Sequence, residues 1–211
     1  MTDQENEIRW REYFYPGSHV LMNNLGIKDY DELKKAEASF SFDRLLELQE
    51  KPLDLGCGKK HLLELHKYIF EDIYPFAGKL RTVNLTKERG GFLFFDKQED
   101  IDRYLDDLFS DIEERLESCY SINDFSDILA NLYTKLIYCH PFREGNGRTI
   151  REFLREFSIE KSKGRNFENV ELDWRMIDKE ELDQYIEVAH IFPGATAIIF
   201  NKALVPISKT K

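Results

Sequence analysis

The sequence predicts an all-α domain organised around one sharp loop between two core helices. Three observations carry that reading. Apolar residues recur at helical spacing along most of the chain, capping signals precede several of those stretches, and the β-prone runs are confined to one short segment. Residues 124–139 place Phe125, Ile128, Leu129, Leu132 and Leu136 on one face, as a buried helix does. Ile150, Phe153, Leu154 and Phe157 repeat the pattern, so a second helix begins near Gly147. With 211 residues and 42% hydrophobic content, the chain 1–211 is read as a single domain with a sizeable core.

Taken in order, residues 1–10 are polar and acidic, unlike a signal peptide. Residues 13–26 carry turn chemistry at Pro16-Gly17, Asn23-Asn24 and Gly26, and the first 28 residues read as an ordered N-terminal arm. A helix follows over 29–50, then a loop over 51–60. Gly56-Cys57-Gly58-Lys59 in that loop lacks the spacing of a phosphate-binding P-loop. Residues 61–73 are again helical, with His61 and His66 read as structural. The runs 80–85 and 92–95 are β-prone and flank a turn containing Gly90 and Gly91, which predicts a small hairpin over 80–95. A charged amphipathic helix over 96–116 comes next. Beyond the central pair, helices are expected over 179–188, where Asp178 and Glu181 offer a capping box, and over 192–204.

Composition excludes several classes. A formal charge of −10 argues against a general nucleic-acid surface or an anionic-membrane surface. No apolar run is long enough to span a bilayer, which predicts a cytoplasmic protein. Cys57, Cys119 and Cys139 are widely spaced and odd in number, so they are expected to be thiols and not metal ligands.

The loop itself holds the chemistry: His140-Pro141-Phe142-Arg143-Glu144-Gly145-Asn146-Gly147-Arg148-Thr149-Ile150-Arg151. Gly145 and Gly147 tolerate positive φ, and Asn146 tolerates it best among other residues, so the turn can gather backbone N–H groups into an anion nest. The helix that follows adds free N–H groups and the positive end of its dipole. At about 100° per residue, Arg148, Arg151 and Arg155 share a face of that helix. Two of these arginines stand in its first turn, against the dipole, which suggests a bound anion; Arg155 is read as solvated. Glu144 would repel phosphate unless Mg²⁺ lies between them. Phe142 is the apolar plug that fixes the loop. His140, at a helix end, is a base with a reference pKa near neutrality.

These residues resemble the signature of the Fic family, His-x-Phe-x-(Asp or Glu)-Gly-Asn-Gly-Arg-x-x-Arg, with every specified position filled. The string from Tyr74 through Pro75, Phe76, Ala77, Gly78 and Lys79 to Leu80-Arg81-Thr82-Val83-Asn84 also resembles the family's lead into its hairpin flap. The resemblance implies a helical bundle with that flap over an active site, and transfer of AMP from ATP to a Ser, Thr or Tyr hydroxyl of a target protein. His140 would be the general base, Phe142 the anchor and Glu144 the Mg²⁺ ligand. Gly145, Asn146 and Gly147 would form the anion hole, and Arg148 and Arg151 would bind the ATP phosphates, with Arg151 toward the γ-phosphate. The flap residues Gly90, Gly91, Phe92 and Leu93 would dock the target segment by strand addition. A bacterial-type toxin or effector is the implied setting.

The same resemblance leaves alternatives open. The motif does not read the nucleotide base, so transfer of UMP or phosphocholine, removal of AMP, or a non-catalytic nucleotide-gated adaptor remain. The family's inhibitory helix, (Ser or Thr)-x-x-x-Glu-(Gly or Asn), has no intact copy. Ser18-His19-Val20-Leu21-Met22-Asn23 has Met22 for the glutamate, and Ser110 with Glu114 is followed by Arg115. An antitoxin-like partner acting in trans, or no such inhibition, fits better, and self-modification by the chain alone is expected. A homo-oligomer is neither required nor excluded by the sequence.

Overall fold

Capping chemistry sets most of the helix boundaries. The structure, a computed structural model, describes residues 1–85, 88–89, 92–93, 97–188 and 194–207. Thr2 and Glu5 form a reciprocal capping box that starts α1 (Asp3–Arg11), a helix with no buried residue and no apolar face for a periodicity argument to find. Asp29 accepts from the Glu32 amide at the head of α2 (Tyr30–Glu50). α3 spans Lys59–Phe70 and ends earlier than expected, because Asn24 of the arm takes its trailing backbone. The Asn24 side chain donates to the Glu71 carbonyl at 2.8 Å, and its N–H donates to that of Ile73 at 2.8 Å.

The next helices are α4 (Ile101–Glu117), α5 (Ile122–Cys139) and α6 (Asn146–Ser162). Ser121 and Asp124 cap α5 reciprocally, which moves its start ahead of the first apolar position. α7 (Lys179–Val188) begins where the Asp178 carboxylate accepts from the Glu181 amide at 2.8 Å. α8 is Ala195–Ala203, shorter than the run expected over 192–204. Among the described residues no helix is long and apolar enough to cross a membrane.

α5 and α6 form the centre. α5 packs on α4, α6 and α8, and α6 packs on α3, α5 and a strand. Leu129, Leu132, Leu136, Ile150, Phe153, Leu154 and Phe157 are at most 0% exposed and lie in one continuous core. The three cysteines are free thiols and buried.

Strands are few and short. β1 (Glu88–Arg89) pairs antiparallel with β2 (Phe92–Leu93), Glu88 opposite Leu93 and Arg89 opposite Phe92. The hairpin is narrower than its β-prone runs. Residues 80–85 form no strand because their backbone is engaged elsewhere: the Arg81 N–H donates to the Pro141 carbonyl at 2.9 Å, and the Asn84 N–H to the Asn6 side chain at 2.7 Å. Gly90 and Gly91 lie outside the described residues. A second antiparallel pair, β3 (Val170–Leu172) with β4 (Leu204–Pro206), was not expected from the sequence.

Arg155 corrects a sequence expectation. It is 8% exposed, not solvated, and donates to Glu152 at 2.5 Å, to Glu171 at 3.3 Å and to the Leu48 carbonyl at 3.4 Å. The reason is that Glu152 and Glu156 are buried on the same helix, and a buried carboxylate needs a cation beside it.

Phe153 makes edge contacts with His61 and Phe109 at 5.6 Å and has no exposed surface. Phe153→Ala is expected to cost about 3–5 kcal/mol of stability, read from the shift of the urea unfolding midpoint.

Candidate active site

The loop between α5 and α6 is held by side chains buried on both sides of it. Asn146 is 3% exposed; its Oδ1 accepts from the Phe142 N–H at 2.9 Å and its Nδ2 donates to the Phe142 carbonyl at 2.7 Å. Phe142 itself has no exposed surface and lies flat on the His66 ring, centroids 3.8 Å apart and planes 6° from parallel. His66 Nδ1 accepts from the Gly78 N–H at 2.8 Å, so its proton sits on Nε2, which donates to the Glu144 carbonyl at 3.0 Å. Burial is the main reason its pKa falls to about 4, aided by the Arg148 charge and opposed by the Glu144 bond. His66 is structural, as the sequence reading had it.

His140 ends α5 in the left-handed region, φ 45° and ψ 63°, with its N–H donating to the Leu136 carbonyl at 3.0 Å. Among the described residues it is the only non-glycine with positive φ. Such a conformation costs about 1–2 kcal/mol for an ordinary residue. The imidazole is half-buried, at the head of the loop.

The bend differs from the expected nest in one respect. Gly145 alone has positive φ (81°); Asn146 and Gly147 already belong to α6 and are helical. Gly145 is required twice over, since a Cβ there would lie 2.4 Å from the Phe70 ring. Gly147 needs no special φ, and a Cβ on it would lie 3.4 Å from Arg151 Nη1. That is an ordinary contact with the movable end of a side chain, so neither the turn nor the arginine requires a glycine there. Thr149 is the first residue of α6 whose N–H bonds back along the chain, to the Gly145 carbonyl at 3.1 Å. The amides of Asn146, Gly147 and Arg148 therefore stand at the positive end of the helix, which can hold an anion.

The two arginines are not equivalent. Arg148 is committed: Nη2 pairs closely with the Glu37 carboxylate, Nη1 donates to Ser41 Oγ at 2.8 Å, and the guanidinium lies 4.8 Å from the Phe70 centroid. Glu37 is 5% exposed and also accepts closely from the Tyr74 hydroxyl. Burial first, and the Glu37 carboxylate next, push the Tyr74 phenol well above its ordinary range, so it acts as a donor. Arg151 has no carboxylate partner among the described residues. It is exposed, its carbonyl is bound by Trp174 Nε1 at 2.8 Å, and it faces a cavity of about 630 Å³ shared with Arg148, Leu45 and Trp174.

Glu144 is half-buried and gives one carboxylate oxygen to the Gly145 amide at 3.1 Å. It lines a second cavity, of about 200 Å³, with Arg143, Glu37 and Tyr74. Its second oxygen could take a cation, since Mg²⁺ is usually held by one or two carboxylates together with substrate phosphates. The backbone of Phe92 and Leu93 forms β2, paired with β1; their side chains, with Gly90 and Gly91, lie outside the described residues.

Sequence reasoning missed Glu37. A signal existed: Leu33, Glu37 and Ser41 recur every four residues on the buried face of α2, and a carboxylate there requires a buried cation. The two degenerate inhibitory strings fall in different settings. Residues 18–23 form a turn and a bridge, not a helix, while Ser110 and Glu114 are exposed on α4.

Comparison with known proteins matches residues 53–158 to the model of the Fic/DOC family. A protein adenylyltransferase of Bartonella schoenbuchensis, VbhT, is 31% identical over 81% of the chain, which spans only 34% of that protein's length. The probable protein adenylyltransferase y4lH of Sinorhizobium fredii is 34% identical, covering 66% of the chain and 71% of the relative. Among solved structures, BepC of Bartonella tribocorum with bound AMPPNP superposes with a TM-score of 0.78 at 20% identity, over 94% of this chain and 98% of that one.

Two outcomes follow from the loop geometry. Gly145→Ala should lower stability by about 2 kcal/mol or more, combining positive-φ strain with the Phe70 clash, while Gly147→Ala should leave the unfolding midpoint nearly unchanged. Because the fold holds His66 neutral, its contribution is complete above the unfolded pKa of about 6.5 and is lost as pH falls toward about 4. The unfolding free energy from urea titrations should thus decline over that interval by up to about 3 kcal/mol, and His66→Asn should flatten the decline.

Proposed function

The chain belongs to the Fic/DOC family, and on that footing we propose that it is a protein adenylyltransferase moving AMP from ATP onto a Ser, Thr or Tyr hydroxyl of a target protein. The observation that carries the reading is the pairing of a base-bearing bend with an arginine that has no carboxylate partner among the described residues, across one helix start: His140 on one side, the amides of Asn146, Gly147 and Arg148 with Arg151 on the other. The relatives' names point the same way, as does the nucleotide analogue in the Bartonella tribocorum protein.

In this reading the ATP phosphates lie over the start of α6, and Arg151 reaches the γ-phosphate. Arg148 contributes its amide and a charge fixed by Glu37; it is the less mobile of the pair. The acceptor hydroxyl, presented along β2 by backbone pairing, attacks the α-phosphorus. The bond from the α-phosphorus to the bridging oxygen breaks, pyrophosphate leaves, and His140 takes the hydroxyl proton. A general base of this kind contributes about 10²–10⁴-fold, and the remainder comes from positioning and charge. Glu144 would hold Mg²⁺, which when bound offsets the charge gathering on the phosphates.

Inhibition, where it operates, falls to a partner. Arg151 is open to a carboxylate supplied in trans, and Met22 cannot supply one. An antitoxin-like protein fits that vacancy by charge.

ATP labelled at the α- or the γ-phosphate distinguishes the reactions. Transfer of the α-label alone to protein, including to the chain itself, is the expected result; γ-label alone would make the chain a kinase, and binding without label an adaptor. His140→Ala should abolish labelling and leave the ATP dissociation constant within about threefold, since a base acts mainly in the transition state. Arg151→Ala should weaken ATP binding by about tenfold or more, the loss of a charge-assisted contact.

A further inference from the structure

Arg81 binds the end of the helix that carries His140, and no motif position describes that task. Its side chain is 2% exposed. Nε donates to the His140 carbonyl at 2.8 Å, Nη2 to the Cys139 carbonyl at 3.1 Å, and its backbone N–H to the Pro141 carbonyl at 2.9 Å. Nη1 reaches back to the Val83 carbonyl at 2.6 Å, tying the guanidinium into its own segment. One residue thus binds three successive carbonyls at the point where α5 stops and the chain reverses. The Cys139 and His140 carbonyls belong to the last residue and the cap of α5 and have no donor within the helix.

The direction of the His140 side chain depends on that reversal. Its φ of 45° ends the helix; a return to the right-handed region would add one more helical residue and rotate the imidazole about the helix axis. The planar guanidinium fork fixes two carbonyls at a set angle to each other, which a single ammonium cannot do. Arg81 is also followed closely by the hairpin, through Thr82 and Val83 to β1. The end of α5 and the start of the segment that leads to the strand pair therefore meet at one buried guanidinium.

We propose that Arg81 is a positioning residue for the general base, locking the left-handed end of α5 so that the His140 imidazole meets the acceptor hydroxyl. The proposal rests on the adenylyltransferase reading for its effect on rate, though not for its effect on His140.

The test uses the full chain with Arg81→Lys and Arg81→Ala. It follows self-labelling rates, the dissociation constant of a non-hydrolysable ATP analogue, and NMR of histidine labelled at Cε1. The expected result is a fall in kcat between about 10- and about 100-fold, the scale on which a misplaced group costs rate, with analogue binding within about twofold. Free guanidinium ion at sub-denaturing concentration should restore part of the rate to Arg81→Ala. The His140 resonance, assigned by its loss in His140→Ala, should shift or broaden while those of His61 and His66 stay. An unchanged kcat in both variants overturns the proposal. So does a joint loss of Tm, nucleotide binding and all histidine resonances in both, which would mark Arg81 as ordinary core. Should the unaltered chain label nothing, the enzymatic reading fails, and the His140 resonance alone decides the role of Arg81.

Discussion

The His66 ring lying on Phe142 is the contact on which the loop depends. It is a neutral imidazole in a site with no exposed surface, and each nitrogen is bonded to backbone, one to Gly78 and one to Glu144. A phenylalanine there would fill the same space and leave a carbonyl and an amide without partners, which costs more than the stacking returns. The ring therefore fixes three things together: the depth of Phe142, the height of the Glu144 backbone, and the segment leading to the hairpin. Asn146 repeats the device from the other side by bonding Phe142 at both its N–H and its carbonyl. The bend is thus held by bonds of its own, and needs no ligand to take this shape.

Charge is distributed by the same logic. The chain is acidic overall, yet arginines line the cavity beside the motif helix, and all but one of them are tied to carboxylates: Arg148 to Glu37 and Arg155 to Glu152 from that helix, and Arg175 to Asp173 from the turn after β3. Arg151 is the exception among the described residues. A cation without a carboxylate while its neighbours are satisfied is the residue that the proposed function assigns to the nucleotide phosphates. Arg148, held by Glu37 and supported by Tyr74, acts as a fixed charge and not as a reaching arm.

How much of this was legible in the sequence varies with how local the cause is. α5, the bend and α6 were legible because their signals are consecutive: a long apolar period, a Gly-Asn-Gly turn, another apolar period. α1 was not, since it buries nothing and shows only the Thr2–Glu5 box. The hairpin was placed in the right region but too wide, because β-propensity cannot tell that Arg81 and Asn84 spend their backbone bonds on the bend and on α1. Arg155 and Glu37 escaped for the same reason. A charged residue on a helix looks solvated until its buried partner is known, and for Arg148 that partner lies on another helix, 111 residues away. β3 and β4, three residues each, are too short to register.

α1 has a consequence for motion. It is fastened through polar contacts: Asn6 with Asn84, Arg9 with Thr82 at 3.5 Å, and Trp10 stacked 4.1 Å from the Arg143 guanidinium. A helix without a buried residue opens at low free energy, ahead of the core around it. Its amides should exchange with solvent far faster than those of α5, and each opening would release the strap across residues 82–84. The leading helix thus sets how firmly residues 82–84 are held, from outside the chemistry altogether.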